Sequence, residues 1–422
     1  MSLLNGLVER RVLAVATERL QDDPVVILEG PRSVGKSTLL QELAETMGAA
    51  LLDLDVPATR DAVAADPSTF VAGTEPVCID EYQKAPVVLD AIKAELNQDS
   101  RPGRFVLTGS TRHDSLPAAA QALTGRLSRL TVYPLAQVEL EGNGSSILVQ
   151  LFDDPAATVA AAPTSTTTRE EYVERVVAGG FPMALARSTA NARARWFDDY
   201  VNLTLERDVQ EISRIRQGDL LPKLLHRLAG QTAQVLNVNS AGRDVGLDHT
   251  TAEDYTRLLE RVFLIERLPS WGKTLIARTG AKPKLHVVDS GVAARLLRLT
   301  PEKLLRLDTT ALTELGHLLE TFVVGELVRQ AFWLDELAGP GHWRTRDGDE
   351  VDLVLERDDG SILAFEVKAA ARAADSDFRP LRKLASAVGS AFVAGIVLYT
   401  GERSYNLEDN LFVMPIDRLW LG

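Results

Sequence analysis

Gly30-Pro31-Arg32-Ser33-Val34-Gly35-Lys36-Ser37-Thr38 meets every position of the pattern G-x-x-x-x-G-K-[ST], a spacing suited to cradling phosphate oxygens. The two glycines let the backbone curl until successive N–H groups point inward, and a helix beginning near Gly35 adds its positive end to that anion hole. Lys36 would reach the β- and γ-phosphates of ATP, and the Ser37 hydroxyl would hold Mg²⁺. The plainer alternative is a glycine turn with a solvated lysine. Val25 to Leu28 before the motif reads as a buried strand and Thr38 to Ala44 after it as a helix, which favours the phosphate loop. Further on, the apolar run Val77-Cys78-Ile79 ends in Asp80-Glu81. An aspartate there can hold Mg²⁺ through water, and the glutamate orient or deprotonate the water that attacks the γ-phosphate; the plainer alternative is an acidic helix start after a strand. Arg104 to Ser110 is another apolar strand ending in small polar residues, where Thr108 or Ser110 senses the γ-phosphate or merely caps a loop. Arg126, before a strand at Leu127 to Val132, is either a phosphate-contacting arginine, in this subunit or across an interface, or a surface charge.

A second set of charged residues lies near the C-terminus. Glu350 to Leu355 alternates in polarity, turns at Asp358-Asp359-Gly360 and returns as Ile362 to Lys368, the pattern of a hairpin. If those three turn residues form the loop, Arg357 pairs with Ser361, and counting outward sets Asp352 opposite Glu366, on one face with Lys368. Gly360 suits the left-handed last position of such a loop. A two-residue Asp359-Gly360 loop would split the carboxylates between faces. The helix expected over Leu318 to Gln330 carries Glu320 and Glu326. Glu320, Glu326, Asp352 and Glu366 are therefore candidate ligands for Mg²⁺ or Mn²⁺, which would activate water against a phosphodiester while Lys368 places the nucleophile or steadies charge. The alternative is a half-exposed hairpin whose outer face carries weakly paired charges. Asp352 with Glu366-x-Lys368 resembles the PD-(D/E)xK nuclease core. His342, Trp343, Arg344 and Arg346 just upstream offer positive and aromatic surface to a nucleic acid, or cap the sheet.

The phosphate loop, Ile79-Asp80-Glu81-Tyr82-Gln83-Lys84, Leu107-Thr108-Gly109-Ser110 and Leu123-Thr124-Gly125-Arg126 together resemble the prokaryotic AAA-like ATPases that carry a C-terminal DUF4143 domain. The resemblance covers most of the chain. It implies an extra strand between the phosphate loop and the acidic pair, which Leu51 to Asp55 supplies. Gly179-Gly180-Phe181-Pro182, Glu206-Arg207-Asp208 and Lys284 to Gly291 also resemble elements of that family.

The expected fold class is α/β, in several parts. Residues 1–155 form a P-loop ATPase domain of the ASCE/AAA-like kind. Residues 156–168, rich in alanine, threonine and proline, form a flexible linker or loop. Residues 169–217 form a helical lid-like region, 218–280 a winged-helix-like domain, and 281–422 a DUF4143, PD-(D/E)xK nuclease-like domain. In the winged-helix part Asp248 reads as an N-cap, with His249, Thr251, Tyr255 and Arg257 the candidates for a DNA groove. Glu253, Asp254 and Glu260 on the same helix oppose that role and favour a packing module.

At 422 residues the chain exceeds what one core covers, and no apolar run approaches the length of a membrane span. Met1 to Leu20 reads as a helix, without the continuous apolar stretch of a signal peptide. One cysteine, Cys78, excludes an internal disulfide and any multi-cysteine metal site, fits a cytoplasmic protein, and is assigned to packing. A net charge of -13 gives no general attraction to nucleic acid, so DNA as a partner needs local basic patches. The function expected is ATP hydrolysis coupled to DNA binding or processing, with metal-dependent cleavage at the second cluster. The alternatives are a nucleotide-controlled switch or scaffold with an inactive nuclease-like fold, and a winged-helix DNA-binding regulator. An oligomer is compatible with all three.

Overall fold

The computed structural model describes residues 6–112, 123, 125–143, 146–209, 218–274 and 281–421. Five parallel strands form the first sheet: β1 (Val25–Glu29), β2 (Ala50–Asp53), β3 (Val77–Asp80), β4 (Phe105–Gly109) and β5 (Leu127–Thr131), in the order β2-β3-β4-β1-β5. Parallel pairing requires both faces to be covered, and the central strands β1 and β4 are buried at every position. Alternate residues go to different cores. Val26, Leu28, Cys78 and Val106 pack with α1 (Arg11–Asp22) and α2 (Lys36–Met47), while Val25, Ile27, Phe105 and Leu107 pack with α3 (Val88–Leu96). Cys78 is buried, its thiol pushed up to about 12 by that burial, in keeping with packing. Because the strands run in one direction, the C-terminal ends of β1, β3 and β4 open onto one edge, where such sheets take ligands.

Residues 156–168, expected to form a flexible linker or loop, are helical up to 161 and a loop from 162 to 168. Residues Pro155–Ala161 are helical, with Asp154 accepting from the Ala157 N–H at 2.9 Å. The buried Ser165 hydroxyl donates to Asp417 at 2.6 Å and the Thr167 hydroxyl to the same carboxylate at 2.7 Å. Composition marked these residues as featureless, but their hydroxyls are pinned to the last turn of the chain. Thr168 and Glu171 then form a reciprocal cap that starts α4 (Arg169–Ala178).

The middle of the chain contributes α5 (Ala190–Leu203), α6 (Leu221–Ala229), α7 (Val238–Val245) and α8 (His249–Arg261). They are accompanied by a small antiparallel sheet, order β6-β8-β7, of β6 (Gln234–Val235), β7 (Ile265–Leu268) and β8 (Lys284–Val287). Asp248 caps α8 as expected, accepting from Thr251 N–H at 3.0 Å. The long helix α9 (Thr309–Phe332) precedes a six-stranded mixed sheet, order β13-β14-β12-β11-β10-β9. Its strands are β9 (Gly341–Arg344), β10 (Glu350–Glu356), β11 (Ile362–Lys368), β12 (Phe392–Tyr399), β13 (Tyr405–Glu408) and β14 (Leu411–Pro415), with α10 (Arg379–Val388) crossing between β11 and β12. Among the described residues no helix is long and apolar enough to cross a membrane.

Glu326 does not belong to a metal centre. It is buried on α9, where its carboxylate accepts from the backbone N–H groups of Gln137 at 2.6 Å and Val138 at 3.2 Å, and from Gln330 at 2.9 Å. Those N–H groups start the helical turn Gln137–Leu140 just after the first sheet, so Glu326 ties that turn to α9. Removing it leaves buried donors without an acceptor. Glu326→Ala is expected to cost about 2–4 kcal/mol in urea unfolding, whereas a change within about 0.5 kcal/mol would mean that the contact is dispensable.

Candidate functional site

The phosphate loop closes on itself. Gly35 holds the left-handed conformation (φ +97°) that launches α2, and Lys36, the first residue of the helix, is buried with its Nζ 2.8 Å from the carbonyls of both Gly30 and Pro31. Ser37 and Thr38 lie exposed in the first turn of α2, so the Ser37 hydroxyl is open to a bound ion. Arg10 braces the loop from outside. Its Nη1 donates to the Val34 carbonyl at 2.6 Å and its Nη2 to the Tyr133 carbonyl at 2.7 Å, while its Nε meets Glu139 at 3.1 Å. Pro31 and Val34 are buried in that collar, and Arg32 and Ser33 face outward.

Asp80 and Glu81 stand at the end of β3, on the same edge. Glu81 adopts a left-handed backbone (φ +53°), a conformation that a non-glycine residue keeps only where its surroundings enforce it. Its N–H donates to the Thr108 hydroxyl at 3.1 Å, and that hydroxyl donates to the Asp80 carboxylate. The Ser110 hydroxyl donates to Glu81 Oε2 at 3.1 Å, Gln83 donates to the same oxygen, and Arg32 Nη1 stands 4.0 Å from Oε1. Thr108 and Ser110 thus orient the acidic pair rather than waiting free for phosphate. Gln83 and Arg10 were given no role from the sequence. Gln83 sits two residues from Glu81 and could have been found there, whereas nothing local marks Arg10.

Arg126 lies elsewhere. Parallel pairing sets Val25 beside Leu127 and Glu29 beside Thr131, so the residue before β5 is at the end of the sheet opposite the loop. There Arg126 donates to Asn97 at 2.8 Å. Within one chain it does not meet the phosphate loop.

The second cluster has the parity expected of it. Leu353 pairs with Phe365 and Glu356 with Ile362, Arg357 N–H donates to the Ser361 carbonyl at 2.8 Å, and Gly360 takes φ +83°. The same count puts Asp352 opposite Glu366, and Lys368 Nζ is 2.5 Å from Glu366. The cation among the carboxylates, however, is a side chain. Lys284 of β8 is buried, with its ammonium 2.6 Å from Glu320, 2.5 Å from Glu350 and 2.8 Å from Asp352. Burial alone would lower the lysine, but Asp352, Glu320 and Glu350 outweigh it and hold its pKa well above the usual value. Burial pushes Glu366 up to about 8, with Asp352 adding to the rise, and drives Glu320 well above its ordinary value for the same two reasons. Asp352 goes the other way: burial opposes ionisation, but Lys284 and Lys368 prevail and keep it low.

Asp352, Glu320 and Glu366 were expected to ligate Mg²⁺ or Mn²⁺, and the arrangement does not fit a divalent ion. Lys284 stands where the ion would have to sit, and among the described residues no group of three or more His, Cys, Asp or Glu converges to hold a metal.

The groove-reading alternative for α8 is not the arrangement found, and the packing expected of that helix is. Tyr255 is buried, and Arg257 is engaged by Glu253 at 3.4 Å and Asp254 at 3.7 Å. Upstream of β10, His342 is buried against the Lys282 carbonyl and Arg344 pairs with Glu350 at 3.3 Å, so these residues serve the sheet.

Comparisons with known proteins match three stretches of the chain. An AAA domain family matches residues 22–141, a domain of unknown function (DUF8612) matches 169–303, and another (DUF4143) matches 315–419. Uncharacterized proteins of Mycobacterium tuberculosis and Mycobacterium bovis are each 26% identical over 98% of this chain and 85% of their own length. Among solved structures, the Walker-type ATPase of Pyrococcus abyssi is 15% identical with a TM-score of 0.38, covering 69% of this chain and 96% of that one. The RuvB Holliday junction branch migration motor of Thermotoga maritima is 17% identical (TM-score 0.30, 62% and 90% covered). AMPPCP-bound DnaA from Aquifex aeolicus is 13% identical (TM-score 0.29, 61% and 91% covered).

A raised Glu366 ties stability to pH. A carboxyl that holds its proton more tightly when folded stabilises fully below its unfolded pKa, and that contribution is lost as pH rises through the folded value. Between about pH 5 and pH 8, the unfolding midpoint of Glu366→Gln should therefore gain steadily on that of the parent. A difference that stays flat over the interval would show that Glu366 is ionised throughout.

Proposed function

We propose, for a chain that belongs to the AAA-like P-loop ATPases with a C-terminal DUF4143 domain, a nucleotide-driven switch that binds and hydrolyses ATP and passes the change to its C-terminal half. One observation carries this reading: the buried Lys36 and the braced Asp80-Glu81 pair share one edge of the first sheet. ATP would enter with its phosphates against the loop and the first turn of α2, drawing Lys36 off the carbonyls of Gly30 and Pro31. Ser37 and, through water, Asp80 would hold Mg²⁺, which supplies charge neutralisation to the β- and γ-oxygens when bound. Glu81 would then orient and deprotonate the attacking water, its carboxylate aimed by Ser110 and Gln83. Lys36→Ala is expected to weaken nucleotide binding by about 100-fold, or roughly 2.7 kcal/mol. Glu81→Gln should keep that affinity while slowing turnover by about 10²- to 10⁴-fold. Parent-rate hydrolysis by Glu81→Gln would remove the glutamate from the chemistry.

A second element of the proposal concerns the C-terminal half. The succession α9, β9, β10, β11, α10, β12 supports a nuclease-like fold, and the middle helices with the β6-β8-β7 sheet support a winged helix used for packing. Lys284 among the carboxylates favours a scaffold that does not cut. Supercoiled, linear and single-stranded DNA should all survive incubation with the parent in Mg²⁺ or Mn²⁺, with and without ATP. Nicking by the parent that Asp352→Ala abolishes would restore the nuclease.

A further inference from the structure

We propose that a cavity where the three parts of the chain meet binds a small monoanion with an apolar body. We further propose that its occupancy is coupled to the phosphate loop, a coupling that rests on the nucleotide-binding reading above. The cavity encloses about 390 Å³ between the end of the first sheet, strands β7 and β8, and helix α9. That volume suits a small-molecule site, which is typically apolar with a few converging polar groups. Leu130, Leu268, Val324, Val328 and Phe332 supply the apolar wall.

The polar groups are unusual because two of them are buried and incompletely bonded. Arg329 is only 7% exposed, its Nη2 reaches the Val288 carbonyl at 3.3 Å, and its Nε has no hydrogen-bond partner among the described residues. His286 is 6% exposed, with Nδ1 at 3.3 Å from the Thr321 hydroxyl and Nε2 likewise without a partner among those residues. Burial, and then the neighbouring Lys284, keeps this ring neutral, so it offers a hydrogen bond and no charge. A buried guanidinium with an unused donor is costly unless something accepts from it. Arg19 and Arg267 also line the cavity but are engaged, Arg19 by Asp335 and Arg267 by Glu253 at 2.8 Å and Glu260 at 3.4 Å, so their charges are already answered and the groups left for a ligand are Arg329 and His286. A carboxylate on a hydrocarbon body answers all three features: an acceptor for the unmet Arg329 Nε, an oxygen within reach of His286, and the apolar part for the wall.

Tyr133 connects this cavity to the nucleotide site. Its ring lies edge-on to Phe332 at 5.9 Å between centroids, and its hydroxyl donates to Glu266 at 3.1 Å. Its carbonyl accepts from the same Arg10 that holds the Val34 carbonyl of the phosphate loop. Through these contacts a ligand in the cavity and a nucleotide on the loop would each change the affinity for the other by the same factor.

Titration calorimetry on the full-length protein without nucleotide tests the site, with 4-phenylbutyrate as probe and 4-phenylbutanol as its neutral counterpart. The parent should bind the acid at least about tenfold more tightly than the alcohol. Arg329→Met should erase that difference, and Val328→Trp, which fills the cavity from a half-buried helical position, should abolish binding of both. No binding of the acid by the folded parent, or undiminished binding by Val328→Trp, would overturn the site, as would ordered water alone in crystals soaked with the probe. A second titration, of ATPγS with and without saturating probe, should show a change of about fivefold or more in nucleotide affinity. Unchanged affinity would overturn the coupling. Failure of ATPγS to bind the parent at all would defeat the nucleotide reading, while the probe titration would still decide the cavity.

Discussion

The buried ammonium of Lys284 is the contact on which the assembly of the parts depends. Its three carboxylate partners come from α9 and β10, while the lysine itself belongs to the small sheet of the middle region. A charge taken out of water is tolerable only while its partners stay in place, and removing one partner costs far more than never having buried the pair. The middle sheet and the C-terminal sheet therefore cannot separate without exposing or stranding several charges. Burial, and then the neighbouring Asp352, raises both Glu366 and Glu320, whereas Lys284 and Lys368 together outweigh burial and hold Asp352 low.

The first sheet is joined to this unit by equally specific contacts. Glu139 accepts from Arg10 and from the N–H of Arg11, and it sits in the helical turn whose leading N–H groups are held by Glu326 of α9. Starting at the Val34 carbonyl, the sequence of contacts is Arg10, Glu139, that short helical turn and Glu326. It is continuous, polar and largely buried, so a change of the loop around phosphate has a physical route into the C-terminal half. The helices Ile147–Asp153 and Pro155–Ala161 lead into a loop whose Ser165 and Thr167 hydroxyls are tethered to Asp417 of the same half.

What the sequence made legible was whatever local spacing controls. The phosphate loop declares itself because its glycines, lysine and hydroxyl must be adjacent, and the hairpin register follows from Gly360 and strand parity alone. The pieces that were misplaced depend on partners far along the chain. Ser165 and Thr167 look like filler until Asp417 is beside them, and Glu326 looks like a ligand until its acceptor role toward Gln137 is seen. Arg126 is a different case. In a parallel sheet a residue that precedes a strand lies at the edge away from the ligand crevice, so strand direction alone would have excluded it from the loop of its own chain.

The identity of the cation in the second cluster shows where such reasoning stops. Parity gathers Asp352, Glu366 and Lys368 on one face, and a gathered set of carboxylates demands positive charge, but the demand does not say what supplies it. An exchangeable ion and a tethered ammonium satisfy the same electrostatics with opposite consequences. The ion leaves coordination positions for water and substrate, and so permits chemistry. The ammonium has no such positions to give, and its hydrogen bonds fix the carboxylates toward itself. Lys284 is 68 residues from Asp352 in sequence, beyond the reach of any local pattern. Its arrival gives the gathered carboxylates a tethered cation and joins the two sheets through it.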